Sequence, residues 1–286
     1  MTPSDASDIT RLSARNFSRL SAFIADQLGI KMPDAKVPMV QSRLMRRARE
    51  LGFDSVDGYV EHVFQAPGAS GERVHVIDAL TTNKTDFFRE PVHFDYLTAS
   101  VLPMFRAEAE AGRGNRGLRL WSAGCSSGEE PYTLTMVLSE FASRNRGFDF
   151  SILATDVSTR MLERAKAAIY EESRIAPVPA SLRSKYLLRS KDPVRQLVRV
   201  VPDLRRTVTF EHLNLMDETY RVRGPFDVVF FRNVMIYFDR PTQEKVVNRM
   251  CRHIQSGGYL FVGHSETLAG LDIPVAAVGP AIYRRT

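Results

Sequence analysis

Over residues 118–132 the chain reads LRLWSAGCSSGEEPY, an apolar run that passes through two glycines into a segment opening on two carboxylates. This order fixes a strand, a tight loop and a helix start, the unit from which parallel sheets are assembled. Gly124 and Gly128 allow a sharp turn and a close backbone approach. Glu129 and Glu130 stand where a helix N-terminus favours negative charge. Phosphate cradles read G-x-G-x-x-G or end in Gly-Lys-Ser/Thr, whereas this loop is G-x-x-x-G followed by acid. Its carboxylates would repel a pyrophosphate and welcome a cation or sugar hydroxyls, the profile of S-adenosylmethionine. On the loop alone, a plain turn with acids serving only the helix dipole is the alternative.

The next predicted strand, 150–155, ends in Asp156, and Ser158 caps a helix containing Met161, Leu162 and Ala165. In doubly wound sheets ligands bind beyond the carboxyl ends of the strands, where an acid can accept from both ribose hydroxyls. A simple helix-entry turn is the other reading of Asp156. Further strands are expected at 208–211, 226–232 and 258–262, and a short final one at 281–285. The unbroken run Val228, Val229, Phe230, Phe231 suits a strand buried on both faces. A helix over 241–254 is expected to be capped by Gly257-Gly258. Between Tyr170 and Asp203 the pattern breaks into a basic, proline-containing insertion with Val198, Val200 and Leu204, read as small strands or a hairpin.

Residues 1–85 read as helical, beginning with Phe17, Leu20, Ile24 and Leu28 on one face and closed by Gly29. A second helix over 37–51 turns Val40, Leu44, Met45, Ala48 and Leu51 inward. Arg43, Arg46 and Arg47 are expected to share its exposed face, as a docking surface or as a solvated one. A third helix covers 55–64, a loop 66–71, and a fourth helix carries Val74, Ile77 and Leu80. The segment TTNKTDFFRE at 81–90 is a joint between domains, and Pro91 opens another helix with Phe94, Leu97 and Val101. Asn83, Thr85 and Arg89 either hydrogen-bond a ligand at this boundary or cap a helix and pair with acids.

The net charge of +6 and pI near 9.4 imply attraction to something acidic without choosing between nucleic acid, membrane and protein. No apolar run approaches a membrane span, and Cys125 and Cys251 lie too far apart in sequence to suggest a disulfide framework or metal set. A cytoplasmic, metal-free protein is expected, with Cys125 a small buried residue.

Taken together, TTNKTDFFRE at 81–90, WSAGCSSGEEPY at 121–132, ATDVS at 154–158, NLMD at 214–217, FDVVFFRNVMIYFD at 226–239 and GHSE at 263–266 resemble the CheR family of chemotaxis receptor glutamate methyltransferases. The resemblance runs along nearly the whole chain. It implies a doubly wound, mainly parallel α/β sheet of the class I S-adenosylmethionine-dependent methyltransferase type over 86–286. A small all-helical, receptor-docking domain over 1–85 and a small β-insertion at about 170–205 complete the expected fold. It implies further that Asn83, Thr85 and Arg89 border the cofactor, with Gly124 in the loop beneath it and Glu129 beside its methionine or sugar end. Asp156 would hold the ribose, and Asn214, Leu215, Arg232 and Asn233 would complete the adenine and methionyl contacts. Tyr237 and Arg89 are the expected catalytic residues; for Tyr237, packing under the sheet edge is the bland alternative. Neither His264 nor Glu266 receives a role.

The implied substrate is a glutamate on the cytoplasmic helical bundle of a methyl-accepting chemotaxis receptor, with S-adenosylhomocysteine as the other product. The protein is expected to act as a monomer without nucleic acid or membrane insertion. Family members that grip a peptide at the receptor's C-terminus use a glycine-rich turn in the β-insertion. Here residues 189–193 read RSKDP, so a tether-independent enzyme is expected. The rival readings are a nucleic-acid methyltransferase, which lacks here the Asp/Asn-Pro-Pro-Tyr signature for a flipped base, and a non-catalytic module that senses the cofactor.

Overall fold

The computed structural model describes residues 11–65, 70–112, 117–192 and 194–286, and the expected loop at 66–71 lies mostly outside them. The chain divides into two compact units, residues up to Thr82 together with Tyr237–Asp239, and Asn83–Ile236 together with Arg240–Thr286.

In the first unit α1 (Ala14–Leu28) buries Phe17, Leu20, Ile24 and Leu28, one residue per turn along one stripe. Ser13 caps its start by accepting from the Asn16 N–H, and Gly29, at φ 68°, ends it in the left-handed conformation that glycine adopts without steric cost. α2 (Val37–Glu50) buries Val40, Leu44 and Ala48. Helices α3 (Val56–Gln65) and α4 (Ser70–Leu80) follow, and Asp57 accepts from Ser13 N and Asn16 Nδ2, both at 2.9 Å, fastening α3 to the start of α1.

The arginines of α2 do not share one free face. Arg43 donates to the carbonyls of Ala79, Leu80 and Thr81 at 3.3, 3.2 and 2.9 Å, capping the end of α4. Arg47 makes a two-pronged pair with Glu72 at 2.6 and 3.0 Å, and Tyr59 Oη donates to the same carboxylate. Arg46 alone of the three stands in solvent, its side chain 85% exposed beside Glu50. Spacing put the three on one side of a helix, but α4 packs there and takes two of them.

In the second unit α5 (Val92–Tyr96) runs through a π turn (Leu97–Val101) into α6 (Leu102–Glu110). Then come β1 (Gly117–Ala123), α7 (Glu129–Arg144), β2 (Asp149–Asp156) and α8 (Thr159–Ala167). The insertion holds β3 (Ile169–Glu171), α9 (Ala180–Tyr186), β4 (Leu187–Arg189) and β5 (Leu197–Val200) as a separate antiparallel sheet of order β3-β5-β4. α10 (Pro202–Arg206), β6 (Val208–His212), β7 (Phe226–Phe231), α11 (Arg240–Cys251), β8 (Ile254–Val262), β9 (Val275–Gly279) and β10 (Ile282–Arg285) complete the chain.

The main sheet has the order β6-β2-β1-β7-β8-β10-β9, parallel from β6 to β8, with β10 and β9 antiparallel at the edge. All six residues of β7 are buried, as the apolar run predicts for the middle of a covered sheet. Phe94, Phe230 and Phe261 stack in sequence across one face, with ring centroids 5.9 and 4.5 Å apart. Strand order reverses between β1 and β7, the switch at which the carboxyl ends of doubly wound sheets open a crevice.

Leu51, expected to turn inward, is 41% exposed just past the end of α2, and two expectations about the second unit are corrected as well. The helix expected to reach 254 ends at Cys251, and Gly257-Gly258 lies inside β8, where the pairing slips from Phe226–Ile254 to Val228–Tyr259. A Cβ on Gly258 would fall 2.9 Å from the Asp227 carbonyl, so the pair serves a strand irregularity, which asks for the same residue as a helix cap. The second correction is β9, which was not expected at all.

Candidate active site

The loops leaving β1, β2, β6, β7 and β8 gather at one edge of the sheet. Gly124 and Gly128 have φ of 79° and 97°. A Cβ on Gly124 would lie 2.6 Å from Val234 Cγ2, and one on Gly128 2.9 Å from Ala165 Cβ and Tyr170 Oη. The chain's own packing therefore demands both glycines, and the close approach at Gly124 is to Val234. The loop is pinned to β2 because Gly124 N and Cys125 N both donate to the Thr155 carbonyl, at 2.8 and 2.9 Å. Cys125 is buried, which pushes its thiol well up and leaves it unreactive.

Asp156 joins the first two loops. Its Oδ2 accepts from Ser126 N and its Oδ1 from Ser158 N, each at 2.8 Å. Ser126 Oγ donates to the Asn83 carbonyl at 3.0 Å, which brings the segment 83–90 onto the glycine loop. Glu129 is 1% exposed, accepting from Arg174 Nη2 at 2.7 Å and from Ser127 Oγ at 2.6 Å. Arg174 lies on a 3-10 turn of the insertion (Glu172–Ile175), donates to the Thr85 carbonyl at 2.5 Å and pairs with Asp86 at 3.2 Å. Thus Asn83 and Thr85 bind the loop system through main-chain oxygens. Nothing in the sequence singles out Arg174, 45 positions from its partner Glu129.

A second cluster centres on Glu90. The Arg232 guanidinium, its side chain 1% exposed, donates to Glu90 Oε2 at 3.2 Å and to the Arg89 carbonyl, and lies 3.5 Å from Glu130 Oε2. Asn233 Nδ2 donates to Glu90 Oε1 at 3.1 Å, and His264 N to Glu90 Oε2 at 3.3 Å. Asn233 N and Gly263 N donate to Glu266 Oε2 at 2.9 and 2.6 Å, with Ile236 N on Oε1 at 3.3 Å. Glu266 thereby acquires a role: it ties the loop after β7 to the loop after β8. Phe88 and Glu90 both occupy left-handed backbone, at φ 53° and 56°. Such strain, of order 1–2 kcal/mol per residue, persists only when surroundings over-determine it. Here Glu90 is held by its side-chain partners and Phe88 N by Thr133 Oγ1 at 3.1 Å.

Burial opposes the Glu90 carboxylate, yet the Asn233 amide, Arg232 and the His264 side hold it below the usual carboxylate range. Burial pushes Glu130 up, against the pull of Arg232 and of the Ser122 hydroxyl at 2.7 Å. Arg232 is thus enclosed by the protein's own acids and supports the site from beneath. Arg89, its side chain 35% exposed, donates to the Lys84 carbonyl at 3.1 Å and lies 3.9 Å from Glu90. Asn214 and Leu215 form the turn after β6, where Asn214 Oδ1 accepts from Met216 N at 3.0 Å and the Leu215 carbonyl from Tyr220 Oη at 2.8 Å. Tyr237 ends the short turn Met235–Tyr237 and groups with the helical unit.

Donor atoms of Glu90, His93 and His264 lie within 4.8 Å of one another, a spacing open to a metal ion. Arg232, on the same Glu90 oxygen, already supplies positive charge there. His93 is fully buried, and neither ring nitrogen has a hydrogen-bond partner. Burial, reinforced by the Arg232 charge and opposed by Glu90, pulls it down to about 4. The folded state therefore refuses a proton that the unfolded chain takes up near pH 6.5, so stability falls as pH drops from about 6.5 to 4, by on the order of 3 kcal/mol. His93→Phe should be near-neutral at pH 7 and flatten this loss, read from denaturant unfolding at pH 7 and 5. An unchanged difference would assign the acid sensitivity to other groups.

Glu90 and Glu130 lie beside Arg232 and Glu129 beside Arg174, while Asp156 and Glu266 are held by main-chain amides, so five carboxyls share this edge with the three guanidiniums of Arg89, Arg174 and Arg232, burial opposing the charge on Glu130 and Glu266. Such an edge accepts a cation that also carries hydroxyls, and opposes a pyrophosphate.

Residues 15–81 match the family model described as CheR methyltransferase, all-alpha domain, and residues 83–280 that described as CheR methyltransferase, SAM binding domain. The chain is 38% identical over 269 residues to a chemotaxis protein methyltransferase of Borreliella burgdorferi, covering 94% of this chain and 93% of the other. It is 38% identical over 273 residues to that of Salmonella typhimurium (95% and 90% covered) and 37% over 272 residues to that of Escherichia coli (95% and 91%).

Proposed function

The chain belongs to the CheR methyltransferase family and uses S-adenosylmethionine as its donor, and from that premise we propose that it methylates glutamate side chains on the cytoplasmic helical bundle of chemotaxis receptors. The observation that carries this reading is the excess of carboxylate over guanidinium at the carboxyl edge of the sheet. The donor supplies an electrophilic methyl group on a positively charged sulfur. Asp156, fixed by two main-chain amides, accepts from the ribose hydroxyls. Glu129 and Glu130, each beside an arginine, add acceptor oxygens at the helix start that suit an ammonium or sugar hydroxyls. Arg89, a partly exposed guanidinium whose nearest carboxylate is Glu90 at 3.9 Å, takes a carboxylate. Asn83, Thr85, Gly124, Asn214, Leu215 and Asn233 shape the loops, and Arg232 fixes Glu90 and Glu130.

Carboxylate methylation needs no general base, because a glutamate with a pKa of about 4.3 is already ionised at neutral pH. Donor and acceptor lose opposite charges as the bond forms, so exclusion of water and correct approach are what the protein must provide. Tyr237 orients the acceptor carboxylate. A tritiated-methyl transfer assay tests the whole reading: base-labile label on receptor supports it. Label on RNA or DNA, or donor binding without transfer, overturns it.

Among the described residues no helix is long and apolar enough to cross a membrane. Arg46 is the docking residue best placed for an acidic bundle, because Arg43 and Arg47 have duties within the helical unit. Arg46→Ala should raise KM for receptor several-fold at low salt without changing S-adenosylhomocysteine affinity. Arg47→Ala should instead destabilise the helical unit by about 1–2 kcal/mol, seen as a lower Tm. An unaltered KM in Arg46→Ala would remove the docking role. The turn between β4 and β5 carries Ser190, Lys191 and Asp192 without glycine, in keeping with tether independence, and Pro193 lies outside the described residues. Micromolar calorimetric binding of a receptor C-terminal pentapeptide would contradict that independence.

A further inference from the structure

On the flank of the methyltransferase unit lies a cleft of about 380 Å³, lined by Tyr132 of α7, Lys166 of α8, Pro202, Arg205 and Arg206 of α10, and Val208 and Phe210 of β6. It shares no residue with the acid-lined edge. Among the described residues Lys166 and Arg206 are matched only by Glu163 and Asp203, each at 3.0 Å, and those acids are 73% and 85% exposed, where an ion pair contributes little. Arg205 has no carboxylate partner among the described residues, and its Nε is buried without a hydrogen bond. With no carboxylate beside it among the described residues, the Arg205 guanidinium leaves uncompensated positive charge at the cleft.

The surroundings favour an anion. The C-terminal carbonyls of α8 would make that helix end negative, but they are occupied: Ala165 O accepts from Tyr132 Oη at 2.9 Å and Ala167 O from Arg199 Nε at 3.1 Å. Arg199 and Arg205 both act electrostatically on the Tyr132 phenol, so a fourth cation stands close by. Pro202, Val208 and Phe210 give the cleft an apolar wall beside its charges, and its volume suits a small organic ligand.

We propose that this cleft binds a phosphate ester, its phosphate held by Arg205 with Lys166 and Arg206, and its organic part against Phe210 and Pro202. A guanidinium fork is the side chain best matched to phosphate oxygens, and a neighbouring ammonium adds charge without demanding geometry.

Calorimetry on the full chain saturated with S-adenosylhomocysteine, which occupies the nucleoside pocket, tests this with uridine 5′-monophosphate and inorganic phosphate as probes. Saturable binding of the ester, weakened about tenfold or more by Arg205→Gln, partly restored by Arg205→Lys and diminished by salt, is the expected result. Inorganic phosphate binding as tightly as the ester would keep the anion site and name bare phosphate as its ligand. No saturable binding of either probe, or equal binding in the wild type and Arg205→Gln, overturns the proposal. Arg205→Gln removes no ion pair, so its Tm without ligand should match the wild type. Should it fold poorly, the exposed Arg206→Gln provides the second reading, and undiminished binding there also counts against the site.

Discussion

Asp156→Ala should weaken S-adenosylhomocysteine binding by about two orders of magnitude and lower the stability of the protein itself. The two losses have different origins. In the free protein the carboxylate accepts Ser126 N and Ser158 N, each at 2.8 Å, in a position only 8% exposed. Truncation leaves two amides without an acceptor, at about 1–3 kcal/mol each. The affinity loss comes on top of this, from the missing ribose acceptor and from a glycine loop no longer tied to the tip of β2. Asp156→Asn separates the contributions, since its single carbonyl oxygen can serve one amide while its NH₂ confronts the other. It should lose roughly half the stability and most of the affinity. Calorimetry and denaturant unfolding on both variants give the comparison. If Asp156→Ala were destabilised yet bound S-adenosylhomocysteine within threefold of the wild type, Asp156 would be a loop fastener and nothing more.

Arg232→Met should be the most destabilising single change in the site, at about 3–5 kcal/mol, because Glu90 and Glu130 lose the buried cation between them. The sign of its pH dependence is determined. In the wild type Glu90 is held below its unfolded value, so its contribution is present above about pH 4.3 and lost as pH falls through the lower folded value. Without Arg232 burial dominates both carboxyls and raises their folded pKa values. The variant is then relatively better off at low pH and deteriorates as pH rises through those raised values. Denaturant unfolding should show a larger gap between variant and wild type at pH 8 than at pH 5. The triple change Glu90→Gln, Glu130→Gln, Arg232→Met should recover much of the loss, since replacing a whole buried ionic cluster is often near neutral. A pH-independent gap would mean that Arg232 acts through its packing against Phe94 and Phe230, whose ring centres lie 5.4 and 5.8 Å from it.

Sequence reveals local repetition well and distant company poorly, and the residues here divide along that line. Phe17, Leu20, Ile24 and Leu28 recur at helical spacing and are buried, and the run through Phe231 reads as a covered strand and is one. Asp156 was visible because strand end, acid and helix cap follow one another directly. By contrast Arg43 and Arg47 display their spacing but not the helix lying across from them, so two internal fasteners looked like surface charge. Gly257-Gly258 misled because a helix end and a strand irregularity call for the same residue. Strand β9 carries only Val275 and Val278 as large apolar residues and lies half in solvent at the sheet edge, so it leaves almost no alternation to detect. Glu90 stood beside Arg89 in a quoted motif, and its importance emerged only when Arg232, Asn233 and His264 arrived from 142, 143 and 174 positions away.

The reach of Arg174 into the glycine loop bears on how this protein can be engineered. Residues 169–200 look like a removable ornament, a little sheet spliced into a crossover. Yet Arg174 neutralises Glu129 and grips Thr85, while Tyr170 Oη donates to the Ser127 carbonyl at 2.8 Å. Trimming that sheet to a minimal linker would take three fastenings from the glycine loop and its neighbouring segment and strand an enclosed carboxylate. Chimeras that swap this region between relatives must transplant a matching cation with it.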